Sequence, residues 1–93
     1  MVSGGNKPYF ETRIDNTIYR RFEGHIDEAD LVWHRDANDR QILVKESDGW
    51  QLQFDNELPI DLVPGKTYFI AREQYHRLIK GTSELVIEIV EED

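Results

Sequence analysis

The sequence predicts an all-β fold, and three observations support that prediction. Helical periodicity is almost absent along the 93 residues. Short runs rich in β-branched and aromatic residues alternate with turn signals such as Asp15-Asn16, Ser47-Asp48-Gly49 and Pro64-Gly65, which is typical of a sandwich or barrel. The length is that of one domain. Because so many short strands leave many edges to protect, we expect a closed barrel or a double-sheet jelly roll.

The expected strands follow one another at hairpin spacing, and the period-2 alternation of a strand assigns faces within several of them. Trp50 and Leu52 point one way within their run, and Ile87 and Ile89 share a face near the end of the chain. Residues 91–93 are expected to form a solvated acidic end. The predicted strands are residues 9–14, 17–22, 30–34, 40–45, 50–54, 60–63, 66–70, 76–79 and 85–90.

The composition excludes several classes of protein. The chain carries 11 basic and 19 acidic residues, a formal net charge of −8, so a basic face that neutralises nucleic-acid phosphates is not expected. The absence of cysteine excludes disulfides, thiolate metal sites and thiol catalysis. No apolar run approaches the ~20 residues of a membrane helix, and the first residues lack a secretory signal. We therefore expect a cytoplasmic protein, with residues 1–7 as a flexible N-terminal segment and residues 8–93 as a single domain.

Two groups of residues have a spacing found in a known family. They are His34-Arg35-Asp36 with Arg40 and Gly49, and Gly65 with Ala71-Arg72-Glu73 and His76. In the second group, five residues separate the glycine from the tripeptide, and two separate the tripeptide from the histidine. With these spacings residues 30–92 resemble the cupins, whose motifs read His-x-His, Glu, Gly and then Gly, five residues, Pro-x-Gly, two residues, His. The resemblance implies a small single-domain cupin, a jelly-roll β-barrel of the all-β class.

The resemblance also implies a divalent metal held by three histidines and one glutamate, but the motif is degenerate here. Asp36 replaces the second histidine and Arg40 replaces the glutamate, and two positions of the second motif also differ. His34, Asp36 and His76 remain as a metal-ligand set. Two imidazoles and one carboxylate suit Fe, Mn, Ni or Zn and leave coordination positions open to a substrate.

Arg40 has two interpretations. A guanidinium repels a nearby dication, and the simplest structural arrangement is an ion pair between Arg40 and Asp36. Alternatively, Arg40 grips the carboxylate or phosphate of an anionic ligand at the mouth of the barrel. Tyr75, Gln51 and Tyr68 are the other candidate ligand-binding residues, on the hypothesis that they reach the same cavity.

Three functions fit these residues. The leading one is a small-molecule-binding cupin whose pocket of His, Asp and Arg side chains takes a small anionic or polar ligand, with or without a divalent metal. The second is a metal-dependent enzyme, a dioxygenase or an isomerase, with His34, Asp36 and His76 as ligands. The third is a structural or interaction module of a larger assembly. No catalytic residue is assigned, and the acidic bend around His25 is interpreted as a solvated loop rather than a second metal cluster.

A homodimer is expected from the surface of the N-terminal strands. A barrel wall needs only one apolar face, yet these strands carry apolar side chains on both. Trp33, which is expected to point outward, adds to this patch. A dimer with two-fold symmetry, the commonest closed assembly, would cover it. The apolar side chains concerned are Tyr9, Phe10, Ile14, Ile18, Tyr19 and Phe22.

Overall fold

The computed structural model of the protein describes residues 7–92, in which eight strands and one short 3-10 helix are found. Residues 1–6, which belong to the segment predicted to be flexible, lie outside the described residues. No helix within residues 7–92 is long and apolar enough to span a membrane. The elements are β1 Phe10–Ile14, β2 Thr17–Phe22, the 3-10 helix Glu28–Asp30, β3 Asp39–Glu46, β4 Gln51–Phe54, β5 Ile60–Asp61, β6 Thr67–Ile70, β7 His76–Ile79 and β8 Leu85–Glu92.

The strands form two sheets. The large sheet has the order β1-β2-β8-β3-β6, and the small sheet has the order β5-β4-β7. Neighbouring strands in both sheets are antiparallel. Several neighbours are far apart in the sequence, as β2 and β3 are from the β8 strand that lies between them. The predicted all-β jelly roll is therefore confirmed.

The core lies between the two sheets and follows the predicted alternation. In β8, Leu85, Ile87 and Ile89 are buried, and the residues between them are more exposed. Trp50 is fully buried, and its indole N–H donates to the Ser83 carbonyl at 2.7 Å, which fixes the loop before β8. The other buried apolar side chains are Ile18, Phe22, Ile42, Val44, Leu52, Leu62 and Ile70.

The strand predicted over residues 30–34 is absent from the described structure, and this prediction is wrong. The Asp27 carboxylate accepts a hydrogen bond from the Ala29 amide at 3.0 Å, which caps a turn of 3-10 helix instead. A local side-chain acceptor of this kind competes with strand pairing. Of the predicted strand, His34 alone pairs with a sheet, through an isolated bridge to His76.

The apolar residues of the N-terminal strands divide between the two faces of the large sheet. Ile18 and Phe22 point inward and belong to the core. Phe10, Ile14 and Tyr19 are exposed on the outer face, as the pairing register of β1 with β2 requires. Only part of the predicted apolar surplus therefore remains on the surface.

Trp33 does not join this outer patch. It is 38% exposed, as an outward-pointing side chain should be. However, the Arg77 guanidinium of β7 stacks over its ring, 4.8 Å from the centroid. Trp33 therefore belongs to the outer side of the small sheet, because the segment that carries it joins β7 and not the N-terminal strands.

Candidate metal centre and ligand cavity

A cavity of about 260 Å³ opens between the two sheets. Its walls are mostly apolar side chains contributed by both sheets, together with a smaller group of polar side chains. His34, Asp36, Arg40 and His76 all line it. The motif spacing therefore brings these four side chains to one cavity, as the sequence predicts.

His34 and His76 are paired backbone to backbone. The amide of each residue donates to the carbonyl of the other at 2.9 Å, and the two ring centroids lie 4.3 Å apart. β7 thus fixes His76, and the bridge fixes His34 beside it. Because ligand bonds to one zinc-like ion are ~2.0–2.2 Å long, imidazoles this close are within reach of a single ion.

The Nδ1 atom of each imidazole faces a backbone carbonyl two residues earlier in the chain. The distances are 3.0 Å from His34 Nδ1 to the Val32 oxygen and 2.7 Å from His76 Nδ1 to the Gln74 oxygen. A carbonyl oxygen only accepts, so Nδ1 carries a hydrogen in each ring, and a neutral ring then has its lone pair at Nε2. Burial lowers the pKa of His76, which favours its neutral form.

Asp36 completes the set from the loop before β3. Its Oδ1 lies 3.8 Å from His34 Nε2, and its Oδ2 lies 3.4 Å from His76 Nε2. At these distances neither contact is a hydrogen bond. Asp36 Oδ2 is accordingly buried with no hydrogen-bond partner among the described residues.

The charge of Arg40 is balanced within the protein. Its Nε and Nη2 donate to Glu91 Oε2 at 3.0 and 2.7 Å, and its Nη1 lies 3.3 Å from Asp36 Oδ1. The predicted ion pair with Asp36 is therefore present, together with a second carboxylate. The hydrogen bond from Arg40 holds the pKa of Glu91 below its usual range. Arg40 consequently opposes a cation at the three donors less than an unpaired arginine would.

Glu91 is a site residue that sequence reasoning missed. Residues 91–93 were expected to form a solvated end, but β8 continues through Glu91, whose side chain is 19% exposed. A signal was present, because Glu91 continues the alternation that points Ile87 and Ile89 inward. Its carboxylate is stable there because Arg40 lies opposite it in the register of β3 and β8.

The residues present fit a divalent metal ion. One ligand atom from each of His34, Asp36 and His76 lies within 4.8 Å of the other two. Within residues 7–92, the acidic bend around His25 contributes no comparable group. Two imidazole nitrogens beside a buried carboxylate oxygen without a partner form a donor set that first-row ions favour.

Comparison with known proteins agrees with this architecture. Neither a protein-family model nor a curated protein matches the sequence. A cupin domain from Bordetella pertussis Tohama I is 21% identical over 95% of this chain and 98% of that chain, with a TM-score of 0.66. The chain has the cupin fold. A cupin-2 domain containing protein from Shewanella frigidimarina NCIMB 400 (23% identity, 95% of this chain, 84% of that chain, TM-score 0.63) and a cupin superfamily protein from Desulfitobacterium hafniense DCB-2 (16%, 99%, 84%, 0.66) agree.

Three predicted ligand-binding residues do not line the cavity. The Gln51 side chain alternates away from the core and donates to Asp61 Oδ1 at 2.9 Å. The Tyr68 hydroxyl donates to the Asp61 carbonyl at 2.8 Å, which holds it at the sheet edge. Tyr75 is 49% exposed because it precedes the buried His76 and points the opposite way. The structure therefore does not bring these three side chains to Arg40.

Arg20 lines the cavity, although the sequence pattern did not single it out. The alternation of β2 contains the signal, because Arg20 lies between the buried Ile18 and Phe22 on the inward face. A charged residue at an inward position of a strand is either paired or functional. Arg20 is paired, since its Nε donates to Glu11 Oε1 at 2.6 Å.

Proposed function

We propose that the protein is a small cupin that holds one divalent metal ion and binds a small molecule beside it. The ligands are His34 Nε2, His76 Nε2 and the Asp36 carboxylate. The observation that carries the proposal is the buried Asp36 Oδ2, which has no hydrogen-bond partner among the described residues and lies 3.4 Å from His76 Nε2, while Oδ1 of the same carboxylate lies 3.8 Å from His34 Nε2. A buried polar group without a partner costs about 1–3 kcal/mol. A bound cation removes that cost.

Fe, Mn, Ni and Zn are the ions that imidazole and carboxylate ligands suit. Three protein ligands leave coordination positions open, so the ion, when bound, can polarise an oxygen atom of a ligand in the cavity. The protein's own residues prepare that site. Two backbone carbonyls orient the imidazoles, and Arg40 orients Asp36.

The size and walls of the cavity support a small ligand. Its volume of about 260 Å³ is near the lower end of the ~300–1,000 Å³ usual for ligand pockets. Its walls are largely apolar but include several polar and charged side chains. These features favour a ligand with an apolar body and a polar head. A cavity that the side chains leave open also favours a binding protein over a purely structural module.

A metal-dependent enzyme, a dioxygenase or an isomerase, is the second candidate. It would use the same three ligands, and it is favoured by the coordination positions that they leave open. The two candidates differ in one measurement. Oxygen consumption or conversion of a bound ligand by the metal-loaded protein indicates the enzyme, and binding without turnover indicates the binding protein.

Metal uptake tests the proposal directly. The metal-free protein is titrated with Mn(II), Ni(II) and Zn(II) in a calorimeter, and the loaded protein is analysed for metal content after dialysis. We expect one ion per chain, which is lost on chelation and regained on addition of the same metal. A content well below one ion per chain after exposure to each metal would contradict the proposal.

A further inference from the structure

The side chain of Arg20 is held against the wall of the cavity by two contacts. Its Nε donates to Glu11 Oε1 on the neighbouring strand β1 at 2.6 Å. Its guanidinium lies over the ring of Tyr9, 4.2 Å from the centroid. The side chain is only 15% exposed. The plane of the guanidinium is therefore fixed before any ligand arrives.

The two Nη groups of Arg20 make no hydrogen bond to the residues that the structure describes. The Arg20 side chain as a whole retains 15% of its surface exposed. Arg40 provides a comparison within the same sheet, because its guanidinium contacts two carboxylates, those of Glu91 and Asp36. Glu11 pairs with Arg20 as Glu91 pairs with Arg40. Within residues 7–92, however, no second carboxylate pairs with Arg20 as Asp36 does with Arg40.

Arg20 and Arg40 both line the cavity and are offset along the large sheet. Arg20 is paired with Ile87 in the register of β2 and β8, whereas Arg40 is paired with Glu91. Four residues of a strand span ~13 Å. The inward side chain between them on β8 is Ile89, and it lines the cavity together with Ile87. A molecule that extends through the cavity from Arg20 toward Arg40 therefore passes over the apolar side chains of Ile87 and Ile89.

From these contacts we infer that Arg20 is the anion-binding residue of this cavity and that the ligand is a small organic acid. The carboxylate binds the two Nη groups of Arg20, and the apolar body lies along Ile87 and Ile89. The placement of a second polar group of the ligand toward His34 and His76 depends on the proposed metal centre. The binding of the carboxylate at Arg20 does not depend on that metal centre.

Two carboxylates near Arg20 oppose the binding of an anion. Asp30 lines the cavity but is exposed, so water and salt screen its charge. Glu11 occupies Nε and leaves the outer edge of the guanidinium free. Arg40 demonstrates that one guanidinium in this sheet holds two carboxylates at once. Two-point hydrogen bonding to the fork, rather than net charge, is therefore what selects the carboxylate.

Benzoate and its neutral counterpart benzamide test the inference on the metal-free protein. In an NMR titration, we expect benzoate to bind at least about tenfold more tightly than benzamide. Arg20→Gln should weaken benzoate binding by about tenfold or more. Arg21→Gln is the matched control, because Arg21 is on the outer face of β2, where it pairs with Glu84. It should change benzoate affinity by no more than about twofold.

Arg20→Lys keeps the charge but loses the fork, and it serves if Arg20→Gln does not fold; it should weaken benzoate about threefold or more. Equal binding of benzoate and benzamide, or unchanged benzoate binding in the folded Arg20 variants, overturns the inference. Metal titration of the same samples separates the two proposals. A protein that binds benzoate through Arg20 but takes up no metal refutes only the proposed metal centre. One that takes up metal but does not bind benzoate refutes only the role of Arg20.

Discussion

The two sheets contribute different chemistry to the same cavity. The small sheet provides metal donors, since β7 carries His76 and pairs with His34 through a backbone bridge. The large sheet provides charges that are already balanced, because Arg40 and Arg20 each pair with a glutamate on a neighbouring strand. Backbone hydrogen bonds hold the donors, whereas side-chain partners hold the arginines. Metal binding should therefore depend on the small sheet and be adjusted by the large one.

The largest expected effect comes from the small sheet. His76→Ala removes one of three donors, and metal affinity should fall by more than about 100-fold, since changes to residues behind the ligands already cost 10–100-fold. His25→Ala is the matched control, because the His25 imidazole is 81% exposed and lies outside the cavity. Calorimetric titration with Ni(II) measures both variants. Equal affinities in the two would place the ion elsewhere.

The next largest effect comes from the large sheet and has the opposite sign. Arg40→Glu introduces the carboxylate that the cupin motif has at this position and removes a cation 3.3 Å from Asp36. We expect metal affinity to rise about tenfold, because a fourth donor, which is the second carboxylate, is added. Arg40→Gln removes the cation without adding a donor and should give a smaller gain. Equal or weaker Mn(II) or Ni(II) binding by Arg40→Glu would refute the idea that Arg40 weakens the site.

A smaller loss of metal affinity is expected when the charge that neutralises Arg40 is removed. Glu91→Gln leaves the Arg40 charge without its main partner, and metal affinity should fall about three- to tenfold. Glu92→Gln is the neighbouring control, since Glu92 contacts Gln41 at the surface. The double variant Arg40→Gln/Glu91→Gln should return most of the lost affinity. Failure of that return would mean that Glu91 acts through packing and not through its charge.

The sequence predicts the fold and the donors because both depend on local spacing. Period-2 alternation defines the strands, and the motif spacing brings His34 to His76. Other features depend on contacts that such patterns do not report. The 3-10 helix is capped by a hydrogen bond to the Asp27 side chain. The partner of Arg40, Glu91, lies fifty-one positions further along the chain. Alternation placed Glu91 inward, but an acidic composition near the chain end favoured the solvated interpretation.

The ion pair between Arg40 and Glu91 in the large sheet should also make the stability of the fold depend on pH in the acid range. Hydrogen bonding from Arg40 holds the pKa of Glu91 below its unfolded value of about 4.3. Glu91 therefore stabilises the fold above that pH, and the stabilisation is lost as the pH falls through the lowered pKa. Urea unfolding of the metal-free protein should give wild type about 1 kcal/mol more stability than Glu91→Gln at pH 7. That difference should vanish in acid, and a difference that stays constant down to low pH would contradict the ionised pair.

The outer faces of the two sheets differ as well. On the small sheet the outer face carries polar side chains beside Trp33, and the Arg77 Nε donates to Gln53 Oε1 at 2.9 Å. On the large sheet Ile14, Tyr19 and Phe69 are exposed. An apolar face of this kind marks a contact surface. We therefore expect two copies of the chain to pair through the outer face of the large sheet, in a two-fold dimer.

Formation of this dimer should leave the metal affinity unchanged. Light scattering at micromolar concentration should give twice the 11.0 kDa chain mass. Ile14→Asp should give a monomer, because it places a charge in the contact surface. Leu58→Asp is the control, since Leu58 is 88% exposed on the hairpin of the small sheet. Each chain carries a net charge of −8, so added salt should strengthen the pairing by screening repulsion. A wild-type monomer at high salt would assign the apolar face to some other contact.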